Sequence, residues 1–141
     1  DLVLVHSDGL IEADLVGTGV LPTLQLLKQQ GKIRALGAST KTPEGALAAL
    51  PHCDALMVTL HPNHLGDLPV IEAARLQRKG VLIKKVFGSG HLAQSPGSQR
   101  ESLELALGTP GVGTIIIGTT NPAHLESNVA IAAANRRAGP D

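Results

Sequence analysis

The sequence predicts an α/β fold of five consecutive strand–helix units, whose strands form one parallel sheet. Three observations support this prediction: short apolar runs alternate with helical stripes, turn residues separate them, and no Asn-Gly hairpin signal joins two apolar runs. Strands that are joined through helices are parallel, and their crossovers are right-handed. No linker interrupts the series, so we predict a single domain over residues 1–141.

The first unit begins at the start of the chain. An apolar run from Leu2 to Val5 predicts a strand, and residues 6–9 (His-Ser-Asp-Gly) form a turn signal. Leucines at every third position over residues 21–27 predict a helix, which stops at Gly31.

The second unit is predicted from a strand at Ile33 to Leu36, which the small residues 37–40 close as a turn. Thr42 precedes a proline and is expected to cap a short helix that ends at Leu50. The third strand is predicted over Asp54 to Leu60.

The third helix is expected to begin with Asp67 as its cap, and the fourth strand spans Val81 to Val86. A Gly-Ser-Gly turn at residues 88–90 follows. Ser98 and Glu101 have the spacing of a capping box, which predicts the start of the fourth helix there.

The last unit lies in the stretch from Gly111 to Asn128. Its β-branched apolar run predicts a buried strand, and Asn121 followed by proline predicts an N-cap and first helical residue. Between them, the turn at residues 118–120 offers backbone N–H groups at the positive end of the helix dipole, which suits an anion. The helix is expected to have one apolar stripe, formed by Leu125, Val129 and Ala132.

Periodicity alone leaves two architectures open. A (β/α)8 barrel takes about 250 residues, so five of its eight units would take roughly 155. The 141 residues of the chain fit this, and they fit an open doubly wound sheet equally well.

Composition excludes several classes of function. Hydrophobic residues make up 43% of the chain, charged residues 17%, and the formal net charge is zero, so no basic surface for nucleic acid is expected. No apolar run is long enough to span a membrane. The single cysteine, Cys53, fits a reducing compartment and a cytoplasmic location. The chain opens inside a strand without Met, so we expect that its beginning is missing.

Polar residues follow the predicted strands where parallel sheets bind ligands, at their carboxyl ends. The repeated coupling of small residues to a helix start suits a ligand that carries phosphate. The positions are His6, Ser39, Thr40, His61, Lys84, Lys85, and Gly118 to Asn121.

Five segments in order resemble the C-terminal portion of the aldo-keto reductases, a (β/α)8 TIM barrel family that uses NADPH or NADH. The resemblance covers essentially the whole chain, and the Gly-Lys-Ile-Arg strand and the Gly…His-Leu-Glu…Asn ending together make it specific. The five segments are Asp1 to His6, Gly31 to Ser39, Asp54 to Pro62, Val81 to Leu92 and Gly113 to Asn128. The resemblance implies a partial barrel whose parent enzyme reduces aldehydes or ketones, with NADP(H) favoured over NAD(H).

The resemblance also implies roles for individual residues. His6 corresponds to the histidine that donates a hydrogen bond to the substrate carbonyl. Ser39 and Thr40 fall where the family binds the nicotinamide carboxamide, and Asn128 where it contacts the adenine. The implied phosphate-binding residues are Gly88, Ser89 and Gly90 in one loop, and Gly118, Thr119, Thr120 and Asn121 in another.

Four positions depart from the family pattern. Met57 replaces a carboxamide-binding glutamine, Leu60 an aromatic that stacks on the nicotinamide, and Ser7 a tryptophan that walls the pocket. His124 replaces the arginine that grips the 2′-phosphate of NADPH, and a histidine is a weaker, pH-dependent partner for it.

The sequence contains no tyrosine, whereas the family's proton donor is a tyrosine assisted by a lysine and an aspartate. We therefore expect this chain alone to be inactive, with Lys84 and Lys85 poor substitutes for that lysine. Two other interpretations stay open: a non-catalytic binding or regulatory subunit with a reductase-like shell, and an independent open α/β domain. Substrate identity and oligomeric state are not predicted.

Overall fold

The computed structural model describes residues 1–7, 17–94 and 96–138, and for residues 93, 94, 96 and 136–138 the backbone alone. The second half of the turn expected at residues 6–9 lies outside them. Five strands alternate with helices along the described chain. The strands are β1 Leu2–His6, β2 Ala35–Ser39, β3 Ala55–Thr59, β4 Gly80–Lys84 and β5 Thr114–Ile115. The helices are α1 Val20–Gln29, α2 Pro43–Ala49, α3 Leu68–Leu76, α4 Pro96–Gly108 and α5 Pro122–Ala138, with 3-10 turns at Leu50–His52 and Gly88–Gln94.

The strands form one parallel sheet in the order β1-β2-β3-β4-β5, so each strand pairs with its neighbours in the chain. A doubly wound sheet reverses its strand order at a switch point, and this sheet does not. The register aligns His6 with Ser39, Ser39 with Met57, and Thr59 with Lys84. Paired residues in a parallel sheet project to the same face, so these side chains share one face.

The two faces of the sheet differ in what covers them. On one face, the side chains of Leu36, Leu56 and Ile83 are fully buried and pack with Ile71 of α3 and Leu103 of α4. Strands in sequential order with right-handed crossovers have all their helices on one face, in agreement with this one-sided core. The other face is the inner face of a barrel segment. Both the order and the one-sided cover confirm the partial (β/α)8 TIM barrel and not the open doubly wound alternative.

Strand β2 lies farther along the chain than predicted, because its small residues belong to the sheet rather than to a turn. Gly37 is the reason. A Cβ at Gly37 would collide with the Ala55 carbonyl and the Leu4 side chain, so only glycine lets β1 and β3 approach β2 this closely. The shift places Ser39 at the end of a strand, in the register that aligns it with His6.

The predicted helix caps have mixed outcomes. Thr42 accepts a hydrogen bond from Gly45 N at 3.1 Å and Asn121 from Ala123 N at 3.0 Å, which confirms both. Asp67 occupies the predicted N-cap position, but its side chain makes no capping hydrogen bond: the carboxylate turns back to the end of β3 and accepts from Thr59 N at 2.9 Å. The capping box at Ser98 was wrong, since α4 already begins at Pro96.

The predicted apolar stripe of α5 was wrong. Leu125 and Val129 are more than half exposed, and the helix buries Asn128 and Ile131 instead. The helix packs against α4, and Leu125, Asn128 and Val129 border one open groove beside Ile117. None of the helices in the described parts of the chain combines the length and apolarity that a bilayer crossing requires.

Candidate functional site

The carboxyl ends of the strands bring His6, Ser39 and Lys84 together on the inner face of the sheet. His6 Nδ1 lies 3.2 Å from Ser39 Oγ, and the Lys84 ammonium donates to the same oxygen at 3.0 Å. His6 ends β1, Ser39 ends β2 and Lys84 ends β4. Ser39 is therefore the point at which a side chain from β1 and one from β4 meet.

Lys84 is held by a second hydrogen bond, from its ammonium to the Thr40 carbonyl oxygen at 2.6 Å. Burial lowers the pKa of Lys84 below its ordinary value, and the nearby positive charges of Lys85 and Lys41 lower it further. The charge of Asp67 acts in the opposite direction without reversing the shift. Lys84 was predicted from sequence as one of the polar residues at the strand ends and as a poor substitute for the family's lysine, but its hydrogen bonds to Ser39 and Thr40 were not predicted.

A cavity of about 470 Å³ opens beside this cluster, between the ends of β2, β3 and β4. Among the residues that the structure describes, no carboxylate lines it, whereas several lysine and histidine side chains do, so its electrostatics favour an anionic or electron-rich ligand. Burial, followed by the neighbouring His64, lowers the pKa of His61. The cavity is lined by Thr40, Lys41, Thr59, His61, Asn63, His64, Lys84, Lys85, Gly88, Ser89, His91 and Leu92.

The Gly-Ser-Gly turn after β4 has an unusual backbone. Gly88, Ser89 and Gly90 have positive φ angles of 55°, 59° and 96° in succession, a conformation that glycine adopts without strain and serine rarely does. The turn reaches towards the loop after β5, because Ser89, Gly90 and Gly118 line one cavity of about 280 Å³. A Cβ at Gly90 or Gly118 would meet no atom within 4 Å, so the space over both glycines is open to a ligand.

The loop after β5 leads into the exposed start of α5. Thr119 Oγ1 accepts a hydrogen bond from Asn121 N at 3.2 Å, and Asn121 in turn caps the helix. Thr119, Thr120 and His124 are all exposed. This loop therefore combines an open helix N-terminus with small polar side chains, which is a favourable environment for a phosphate.

Asn128 lies apart from the strand ends. It is 6% exposed, and no hydrogen bond reaches its Oδ1. It borders the groove between α4, β5 and α5 with Leu103 and Leu107. The structure therefore brings His6, Ser39, Thr40 and the two glycine loops to one rim, but it does not bring Asn128 to the same cavities.

The positions that depart from the family pattern are also defined. Met57 is half-buried on the inner face next to Ser39, and its carbonyl accepts from Thr40 N at 3.2 Å. Leu60 is completely buried in the core and offers no surface to a ring. Ser7 is buried, and its N–H donates to the Ser39 carbonyl at 2.9 Å.

Among the described residues, the other reactive groups do not form a second centre. Cys53 is buried between the 3-10 turn Leu50–His52 and β3, and burial raises the pKa of its thiol to about 11, which makes it a poor nucleophile at neutral pH. His61 and His64 face each other with ring centroids 5.7 Å apart. In the residues that the structure covers, no three His, Cys, Asp or Glu side chains are grouped so that they could hold a metal.

Solved structures that resemble this chain include aldo-keto reductases. Two structures from Pseudomonas aeruginosa, each assigned as an aldo-keto reductase, are 46% identical over 96% of this chain, with TM-scores of 0.86 and 0.87. The holo form of an aldo-keto reductase from Bacillus halodurans shares the fold, with a TM-score of 0.75 at 18% identity over 97% of this chain. This chain spans 52% of the Pseudomonas chains and 56% of the Bacillus chain, about half of their length. No protein-family model matches the sequence, and the search of curated proteins also gave no match.

Proposed function

Because this chain belongs to the aldo-keto reductase family, we propose that it supplies the cofactor-binding rim and the carbonyl-binding histidine of an oxidoreductase. The proposed enzyme reduces an aldehyde or ketone by hydride transfer from NADPH or NADH. The observation that carries the proposal is the meeting of His6, Ser39 and the Gly88–Gly90 turn at one end of a parallel sheet, beside a cavity whose described lining residues include no carboxylate.

His6 has the position that a carbonyl-binding group requires. It is exposed at the end of β1, and its Nδ1 is engaged by Ser39. The other ring nitrogen, Nε2, therefore remains for a hydrogen bond to the substrate oxygen. Such a bond polarises the carbonyl and stabilises the negative charge that develops on oxygen during reduction.

The proposed cofactor residues lie along the rim in three groups, and each group would bind one part of a dinucleotide. Ser39 and Thr40 would hold the carboxamide of the nicotinamide, which supplies the hydride when the cofactor is bound. The open space over Gly90 and Gly118 accommodates a diphosphate. The start of α5 would receive the adenosine phosphates, in the loop formed by Gly118, Thr119, Thr120, Asn121 and His124.

We favour NADP(H) over NAD(H), with His124 near the 2′-phosphate and Asn128 near the adenine. For Asn128 this requires α5 to present its buried amide to the ligand, and the unpartnered Oδ1 is consistent with an amide that has a partner to gain. A small-molecule carbonyl substrate and a cytoplasmic location complete the proposal. The zero net charge and the single reduced cysteine support it.

A second candidate function is a non-catalytic binding subunit. Three features favour it: the sequence has no tyrosine, Met57 occupies the glutamine position, and Leu60 is buried where an aromatic would stack. A subunit of this kind would bind the dinucleotide without presenting His6 to a carbonyl.

Calorimetric titration of the protein with NADPH and NADH, followed by benzaldehyde in the presence of NADP⁺, separates the two functions. The oxidoreductase proposal predicts nucleotide binding in the wild type and in His6→Leu, and aldehyde binding in the wild type alone. Aldehyde binding that is equal in both proteins, or absent from both, would favour the binding subunit. Failure of both nucleotides to bind would reject both functions.

A further inference from the structure

The Ser39 hydroxyl lies between a cation and an imidazole, and this arrangement constrains where its hydrogen points. Ser39 is 6% exposed, so its hydroxyl needs partners within the protein. Among the described residues the hydroxyl has two hydrogen-bond neighbours: the Lys84 ammonium at 3.0 Å and His6 Nδ1 at 3.2 Å. One of these neighbours can only donate.

An ammonium group has three N–H donors and no lone pair, so Ser39 Oγ must accept from Lys84. The serine hydroxyl then has its own hydrogen to donate, and His6 Nδ1 is the acceptor within reach. In the alternative arrangement, His6 Nδ1–H would donate to Ser39 Oγ. The hydrogen of the serine hydroxyl would then have no acceptor in a nearly buried place, so this arrangement is less stable. A neutral histidine that accepts at Nδ1 carries its proton on Nε2.

We propose that Lys84 is a positioning residue: by donating to Ser39, it fixes His6 in the tautomer whose Nε2–H faces the substrate. The inference rests on the proposed function, because the Nε2–H tautomer has a role only if a substrate carbonyl accepts a hydrogen bond from it. Lys84 does not touch the reacting atoms in this role. It acts through Ser39, and its second bond to the Thr40 carbonyl holds the ammonium in place.

The arrangement is compatible with cofactor binding at the same serine. A hydroxyl oxygen has two lone pairs, and Lys84 occupies one of them. The second is free to accept from the carboxamide N–H of a nicotinamide. Lys84, His6 and the carboxamide can therefore bind Ser39 at the same time, with no bond broken when the cofactor enters.

The test is long-range ¹H–¹⁵N NMR of the histidine-labelled protein, which reports on each ring nitrogen separately. His6→Gln assigns the His6 signals among the six histidines. In the wild type, neutral His6 is expected in the Nε2–H form. In Lys84→Met the ratio of Nε2–H to Nδ1–H is expected to fall about fivefold, the effect of one hydrogen bond, and Lys84→Arg should restore most of it.

Lys85→Met is the matched control, because it removes the adjacent positive charge and leaves the Lys84 bonds to Ser39 and Thr40 intact. Its tautomer ratio should equal that of the wild type. An unchanged ratio in Lys84→Met, or an equal fall in Lys85→Met, would overturn the inference. Ser39→Ala provides a second route should Lys84→Met not fold, and it is expected to lower the ratio to the same extent. A wild-type ratio in Ser39→Ala would also overturn the inference.

Titration of the same samples with NADPH separates this inference from the proposed function. A tautomer ratio that depends on Lys84, without NADPH binding, would reject the proposed function and leave the hydrogen-bonded arrangement standing. NADPH binding together with a tautomer ratio that is the same in the wild type and in Lys84→Met would reject the inference and leave the proposed function standing.

Discussion

The Lys84 ammonium donates to Ser39 Oγ at 3.0 Å although the two residues lie on strands that do not pair with each other. Strand β3 separates them, and the Lys84 side chain crosses its end on the inner face of the sheet. The inner face of a barrel is concave, and this curvature brings the ends of non-adjacent strands within reach of one long side chain. The candidate site therefore depends on the barrel geometry and not on any single loop.

Gly118→Ala is expected to weaken NADPH binding by about fivefold, because the added methyl group occupies the space proposed for the diphosphate. The apo protein should fold as before, since the new Cβ meets no atom within 4 Å and φ at Gly118 is not positive. Gly108→Ala, at the end of α4 towards the opposite edge of the sheet, meets no atom either and is the control. Calorimetric affinities and melting temperatures of the three proteins measure both effects, and equal NADPH affinities would contradict this placement of the diphosphate.

Asp54→Asn is expected to destabilise the protein by about 1 kcal/mol at pH 7, a discounted value because Asp54 is partly exposed. Burial opposes ionisation of Asp54, but hydrogen bonds from Lys28 and Leu36 N outweigh it and lower its pKa below 3.8. Because the folded-state pKa is below the unfolded one, the stabilisation is present above pH 3.8 and is lost as the pH falls through the lower folded value.

Urea denaturation across the acid range measures this effect. The wild type should lose stability more steeply than Asp54→Asn below pH 4, so that their curves converge there. A constant difference between the two proteins at every pH would mean that Asp54 stabilises the fold through packing and not through its charge.

Carbonyl-dependent oxidation of NADPH by the purified chain is expected to be at background. Reduction requires a general acid near the carbonyl with a pKa close to the working pH, and the family's tyrosine has no counterpart in this sequence. Absorbance at the nicotinamide band, with and without benzaldehyde, measures the rate. Turnover above background that disappears in His6→Leu would contradict this expectation and would show that a group other than a tyrosine donates the proton.

His124→Arg is expected to raise the affinity for NADPH on the order of fivefold at pH 8 and to leave the affinity for NADH unchanged, since a permanent charge replaces one that depends on protonation. His124 is exposed on the first turn of α5, so the change should not disturb the core. Affinities for both nucleotides at pH 6 and pH 8 test this. A parallel change for NADPH and NADH would place the 2′-phosphate elsewhere.

The predictions from sequence succeeded where local chemistry decides the structure. Alternating strands and helices, and the caps at Thr42 and Asn121, follow from residues close together in the chain. Residues 37–39 were expected to form a turn because they are small, but they pair in β2 because Gly37 lets two neighbouring strands approach. That contact depends on residues that are distant in the chain and leaves no local signal.

The candidate site shows the same division. The strand ends and glycine turns that form its rim were predicted from sequence, whereas the role of Lys84 was not. A lysine at the end of a strand is usually solvated, and only the cross-sheet distance to Ser39 shows otherwise. A weak signal existed: Lys84 follows Leu82 at the two-residue period of a strand, which places both on the inner face. The buried side of α5 was predicted wrongly because the prediction followed polarity: Leu125 is apolar and was expected to be buried, whereas the polar Asn128 is the buried residue.

Titration of the ¹⁵N-labelled protein with NADPH, followed by amide chemical shifts, locates the proposed dinucleotide site. We expect Ser39, Gly90 and Gly118 to shift together with one dissociation constant, while Cys53 at the opposite edge of the sheet does not shift. Shifts confined to the Cys53 edge, or no saturable shift at the three rim positions, would contradict this expectation.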